Sequence, residues 1–141
     1  MLYKSTRNDE IRVEASQAII KGLSDDGGLF IPESIPSVSL YDIKAMLGKS
    51  YNERAEVILS KFLTDFSPEQ IGYCVSGAYT PEKFGSANIS ELHKLNDSVS
   101  FLELWHGPTC AFKDMALQIL PYLLTTSVKI NKLDKTVVIL V

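Results

Sequence analysis

FLELWHGPTCAFKDMALQILPYLL, Phe101 to Leu124, holds the passage from strand to helix on which the reading of the fold turns. Phe101, Leu102, Leu104 and Trp105 suit a half-buried strand, and Gly107-Pro108 is a strong turn signal that stops it. Past the turn, Ala116, Ile119, Leu120, Leu123 and Leu124 recur at i, i+3, i+4, i+7 and i+8, one helical face packed on something apolar. Pro121 removes a hydrogen bond inside that run and predicts a kink. Lys113 stands at the helix entrance, where unpaired backbone N–H groups gather. An exposed lysine amine, with a pKa of about 10.4, is protonated at neutral pH and is a poor nucleophile. Between Phe112 and Met115, at the positive end of a helix dipole, the charged form of Lys113 would lose solvation and meet an unfavourable field. Lys113 is therefore a candidate for Schiff-base chemistry, against the plainer reading of a surface lysine in the first turn of an amphipathic helix.

The residues around Lys113 admit other readings, which their spacing discounts. His106 and Cys110 are two ligands at most, too few for a zinc shell, and catalytic Cys/His pairs are generally assembled from distant segments. GPTCAFKD lacks the glycine before and the hydroxyl after the lysine that a phosphate loop of the Walker type requires, since Phe112 and Asp114 occupy those places. Asp114, in the first helical turn, either orients its neighbour Lys113 or is simply a favourable charge on the helix dipole.

Upstream, Leu2 to Ser5 reads as an edge strand and Thr6-Arg7-Asn8 as a polar patch. Ile11 to Leu23 reads as a helix ending near Gly22, and Ser24-Asp25-Asp26-Gly27-Gly28 as a tight turn feeding extended Leu29-Phe30-Ile31. The two aspartates lack the alternating ligands and closing glutamate of a calcium loop. Helices follow at Leu40–Leu47 and Ser50–Phe62, then one opened by Ser67-Pro68 and running to about Ala78. Thr80-Pro81 and Gly85-Ser86 interrupt the pattern and place a change of subdomain between Tyr79 and Ala87. Ser90–Asn96 and Val99–Trp105 form a plausible hairpin, in which His93 reads as structural. Ser127 to Lys135 is expected to turn. Thr136 to Val141 is a continuous apolar, β-branched run, the pattern of a strand buried in a parallel sheet; with nothing after it to cover it, the expectation is a truncated chain.

Three stretches, YKSTRN at Tyr3 to Asn8, GLSDDGGLFIPESIP at Gly22 to Pro36 and HGPTCAFKDMALQ at His106 to Gln118, stand in the order of similar segments in threonine synthases, and the chain resembles that family. The resemblance implies that Lys113 holds pyridoxal 5′-phosphate (PLP) as an internal aldimine. It implies the conversion of O-phospho-L-homoserine and water to L-threonine and phosphate, with PLP taking up carbanion charge and Lys113, once released, moving protons as acid and base. His106, Thr109 and Asp114 are the candidates for supporting Lys113. Arg7 is a candidate anion contact, its planar fork matching phosphate or carboxylate, with a solvated turn as the alternative.

The implied fold is α/β: a helical N-terminal portion over residues 1–83, then the first strands and helix of a fold-type II PLP domain, of the tryptophan-synthase β-like kind, over 84–141. In the family, a substrate-binding loop and a glycine-rich segment cradling the PLP phosphate follow later in the chain. The present chain by itself is expected to be inactive and to hold PLP weakly or not at all. Two alternatives stand beside this: another PLP enzyme of β-elimination or β-replacement, and a cofactor-free structural or oligomerisation module in which Lys113 merely caps a helix.

Composition narrows the partners. The 141 residues carry a net charge of −3 from 14 basic and 17 acidic side chains without long runs, giving no basic footprint for nucleic acid. Neither a spanning apolar stretch nor an N-terminal signal core is present, so no membrane role and a cytoplasmic location are expected. Cys74 and Cys110 form no disulfide framework or metal motif. An exposed edge on the Thr136–Val141 strand would favour a homo-oligomer.

Overall fold

The computed structural model describes residues 1–134 and 136–138. Strand β1 (Leu2–Ser5) lies in the middle of a three-stranded antiparallel sheet, flanked by β2 (Arg12–Glu14) and β3 (Phe30–Pro32). Tyr3 faces Val13 on one side and Pro32 on the other. The sequence reading put β1 at an edge and started a helix at Ile11; both are corrected. Val13 and Ala15 are two residues apart, the period of a strand and not of one helical face, and pairing with β1 holds the chain extended as far as Glu14. The helix α1 begins only at Ala15 and runs to Lys21, ended by Gly22 at φ +69°.

Three short helices follow with serine caps. Ser39 caps α2 (Leu40–Ala45), Ser50 caps α3 (Tyr51–Phe62) and Ser67 caps α4 (Pro68–Ala78), each hydroxyl accepting from the backbone N–H three residues on. In α4 the residues Ile71, Cys74, Val75 and Ala78 recur at i, i+3, i+4 and i+7, and all four are buried. Burial of a side chain the size of Val75 contributes about 1.5–3 kcal/mol. By contrast α3 has no fully buried residue and only leans on the core through Tyr51, Ala55 and Leu59.

The interruption after Tyr79 contains a one-turn helix, α5 (Pro81–Phe84), whose Phe84 fills the core and whose C-cap Gly85 is left-handed. The hairpin forms as expected, β4 (Glu91–Lys94) against β5 (Ser100–Glu103), with Leu92 opposite Leu102. Pro121 divides the last helical stretch instead of kinking it: α6 (Asp114–Leu117) stops, and α7 (Leu120–Ile130) restarts with the proline in its first turn, where a missing N–H costs nothing. Residues Ser127 to Ile130, expected to turn, are helical. Thr126 and Ser127 are buried there, Cys74 Sγ of α4 lies 3.4 Å from Thr126 Oγ1, and packing overrides their weak helix propensity.

The core sits where α7 meets α1 and α4, joined by Leu63, Phe66, Tyr79, Phe84 and Ile119. Contact between α4 and α7 is close at Gly77, where an added Cβ would fall 2.3 Å from the Tyr122 ring. The expected terminal strand at Thr136–Val141 lies partly outside the described residues; Thr136 to Val138 take no part in a strand.

Candidate active site

The loop bearing Lys113 is built around one carboxylate. Asp114 is fully buried, and its two oxygens accept from the Thr109 backbone N–H at 2.8 Å and the Thr109 hydroxyl at 2.9 Å. Gly107 lies directly against it: a Cβ there would stand 2.4 Å from Asp114 Cβ and 2.6 Å from Oδ2, so only glycine permits the approach. The Cys110 N–H donates to the Gly107 carbonyl at 3.0 Å, and Cys110 itself takes the left-handed conformation at φ +57°. Residues 107–114 thus close into a loop around the Asp114 carboxylate, with Pro108, Cys110, Phe112 and Lys113 exposed.

Lys113 enters the helix on helical dihedrals, its carbonyl accepting from the N–H groups of Ala116 and Leu117 at 3.0 and 2.8 Å. From the other side, the Tyr79 hydroxyl donates to the Met115 carbonyl at 2.7 Å. Burial and the neighbouring Tyr51 raise the pKa of Tyr79 well above the ordinary phenol value, keeping it a donor. The backbone around Lys113 is therefore pinned on both sides, by Asp114 below and by Tyr79 through Met115. Its side chain is exposed, and so is Phe112, at 67 %. The flanking desolvation expected from Phe112 is absent, because the phenyl ring turns to solvent while Asp114 takes the interior position.

Of the other candidates, Thr109 joins Asp114 directly. His106 is engaged elsewhere: its Nε2 lies 2.6 Å from Glu103 Oε2, and the Trp105 ring stands 5.6 Å from the imidazole. Among the described residues no hydrogen bond links His106 to Lys113. His106 also bears on the hairpin: it is one of the influences that hold Glu91 below the usual carboxylate range, after hydrogen bonds from Ser86 and Asn88.

Arg7 belongs to a second polar cluster. The Ser5 hydroxyl, buried, donates to Asp26 at 2.8 Å and accepts from the Arg7 N–H at 3.1 Å, while Arg7 Nη1 donates to the Asp26 carbonyl at 3.3 Å. Gly28 donates its N–H to Asp26 Oδ1 at 2.8 Å, and a Cβ at Gly28 would fall 2.2 Å from Ser5 Oγ. The Gly28 amide is the main cause of the low pKa of Asp26, with the Ser5 hydroxyl assisting against partial burial. The Asp-Asp-Gly-Gly turn, read from sequence as a bare change of direction, is the clamp that holds the Ser-Thr-Arg segment. Its signal was the pairing of a carboxylate with two glycines, but the partner, Ser5, is 21 residues away.

No helix of the described residues is long and apolar enough to cross a membrane. The mixed helix and strand arrangement resembles the N-terminal part of threonine synthase structures. A crystal structure of PLP-bound threonine synthase from Brucella melitensis superposes with a TM-score of 0.85 at 33% identity, over 94% of this chain and 28% of that one. Residues 2–79 match the family described as threonine synthase N terminus, and the chain belongs to that family. Threonine synthase from Methylobacillus glycogenes is 35% identical over 127 residues, and the human protein named threonine synthase-like 1 is 37% identical over 111. These alignments take in 85% and 77% of this chain but only 27% and 15% of the relatives, so the chain spans about a quarter or less of their length.

Proposed function

We propose that this chain supplies the cofactor-bearing lysine of a threonine synthase acting on O-phospho-L-homoserine, with residues 1–83 as the N-terminal domain and 84–141 as the start of the catalytic domain. The observation that carries the reading is Lys113, an exposed amine on a loop whose backbone is fixed by Asp114, Thr109 and Gly107. An amine that is to join an aldehyde must be reachable and must stay in place through the cycle, and this loop gives both. PLP, when bound, supplies the electron sink for carbanion charge at the substrate carbons.

Everything else falls to the protein. Lys113 Nζ holds the cofactor and, when free, carries a proton between neighbouring carbons of the substrate. Asp114 and Thr109 hold the Lys113 backbone without touching the reacting atoms, and the Tyr79 bond to Met115 steadies the following turn. Arg7, exposed and set by the Ser5–Asp26 clamp, meets the anionic part of the substrate.

The test is a chimera in which this chain replaces the matching segment of the Methylobacillus glycogenes enzyme. Phosphate release from O-phospho-L-homoserine is expected, with borohydride reduction fixing PLP on Lys113. Lys113→Ala should lower turnover by about 10²–10⁴-fold. Arg7→Ala should raise KM more than it lowers kcat. Full turnover by the Lys113→Ala chimera would refute the assignment.

A further inference from the structure

Two open grooves, of about 410 and 540 Å³, meet along α3 and share Tyr51, Arg54 and Ser90. Neither is lined by Lys113 or Arg7. Their walls differ in character. One is apolar, formed by Ala55, Ile58, Leu59 and Tyr79; the other is polar and carries Lys49, Asn88 and Glu91. Together they offer cationic side chains, a carboxylate and an apolar wall within a volume that suits a small molecule.

The charges are arranged in a defined way. Arg54 Nε donates to the Met46 carbonyl at 3.2 Å, which orients the guanidinium and leaves its other N–H groups free of the described residues. Glu91 accepts from Ser86 and Asn88, and these bonds, with His106, keep it ionised well below neutral pH. Glu91 and Arg54 form no ion pair with each other or with another described residue. A negative and a positive group held in one groove and left unpaired match a ligand that carries both charges. An apolar wall beside them matches a ligand with an aliphatic or aromatic side chain.

We infer that the groove between α3 and the 86–92 segment binds a free α-amino acid with an apolar side chain, its carboxylate on Arg54 and Lys49, its ammonium on Glu91 and its side chain against Ile58, Leu59 and Tyr79. This site is independent of the reading of Lys113 and stands if that reading fails. The ligand's carboxylate meets the guanidinium fork, its geometric match, and the ammonium meets an acceptor already fixed by two hydrogen bonds.

Titration of the 141-residue chain with L-leucine, 4-methylpentanoate and 3-methylbutylamine, followed by amide NMR shifts, tests the assignment. L-leucine should saturate, shifting Lys49–Leu59 and Asn88–Leu92, and each analogue lacking one charge should bind about tenfold more weakly. Arg54→Gln should lower leucine affinity while leaving the amine unaffected. Glu91→Gln should lower it while leaving the carboxylate unaffected, so a folding defect in either variant, visible in its free spectrum, leaves the other to decide. Absence of saturable shifts with L-leucine, or equal affinity for all three compounds, would overturn the inference.

Discussion

At Gly107 a single hydrogen atom stands where any other residue would place a carbon against Asp114. Gly107→Ala must push the buried carboxylate away from Thr109, and the expected cost is about 1–3 kcal/mol of stability, read as a lower urea midpoint without a change in slope. Asp114→Asn tests the same loop from the other side. One of its two acceptor oxygens becomes an NH₂ facing the Thr109 donors, and a loss of about 1–3 kcal/mol is expected, with far-UV circular dichroism unchanged. A variant as stable as the parent would mean that the loop does not depend on this pair. Residue chemistry was legible here only in part. The sequence singled out Lys113 and Asp114 by position and resemblance, yet left Asp114 undecided between orienting a neighbour and complementing a dipole. Burial settles its structural part, because a carboxylate with both oxygens donated to from one threonine closes the loop whatever the helix dipole does. Burial is also what the sequence could not give for Lys113: Phe112 and Met115 flank it in the chain, but a helix turns adjacent residues some 100° apart, and the phenyl ring ends in solvent.

Among the elements, those announced by local chemistry were legible and those decided by distant partners were not. The Ser67-Pro68 start with Gln70 at the third position specified α4 to the residue, and α4 ends at Ala78 as read. The hairpin was equally visible, since Asn96 and Asp97 turn the chain between two short apolar runs, and Asn96 Oδ1 does accept from the Ser98 and Val99 amides. The beginning of α1 and the end of α7 were missed for one reason. Val13 is drawn into the sheet by β1, and Thr126 and Ser127 are held helical by α4 and α1, partners that lie outside the window of each element's own residues. The closeness of α4 to α7 gives a direct test at this scale. Gly77→Ala drives a methyl group into the Tyr122 ring, which is itself packed edge-on to Tyr73 at 5.7 Å. The helices must part or the ring must leave, and a loss of about 1–3 kcal/mol is expected despite the better helix propensity of alanine. If helix propensity governed instead, thermal denaturation would show the variant to be the more stable.

Over the whole molecule, one core draws on both ends of the chain, since Ala15 of α1 and Ile119 before α7 belong to the same buried cluster as Ile71, Cys74, Val75 and Ala78 of α4. The hairpin stands apart from it: among the described residues β4 and β5 pair only with each other, and Leu92, Phe101 and Leu102 are at least half exposed. Amide exchange should therefore be fast across 91–103 and slow across Ile71–Ala78, because a lone two-stranded ribbon opens locally while α4 opens only with the core. Titration reports on that core as a unit. Tyr79 lies in it, bonded to Met115, with a pKa raised by burial first and by Tyr51 second; burial also raises Tyr51 and the Cys74 thiol. For each of these groups the folded state holds the proton more tightly than the unfolded chain. Their contribution is fully present below the unfolded values, about 8.5 for the thiol and about 10 for the phenols, and is lost as pH rises from there towards the folded values. Stability should accordingly hold through neutral pH and fall steeply above it. Tyr79→Phe removes the largest of these terms: it should be less stable at pH 7 by about 0.5–1.5 kcal/mol for the lost hydrogen bond, and its alkaline decline should be shallower, so that the two urea-midpoint curves converge as pH increases. Parallel curves would show that the Tyr79 proton is held no more tightly in the folded chain than in the unfolded one.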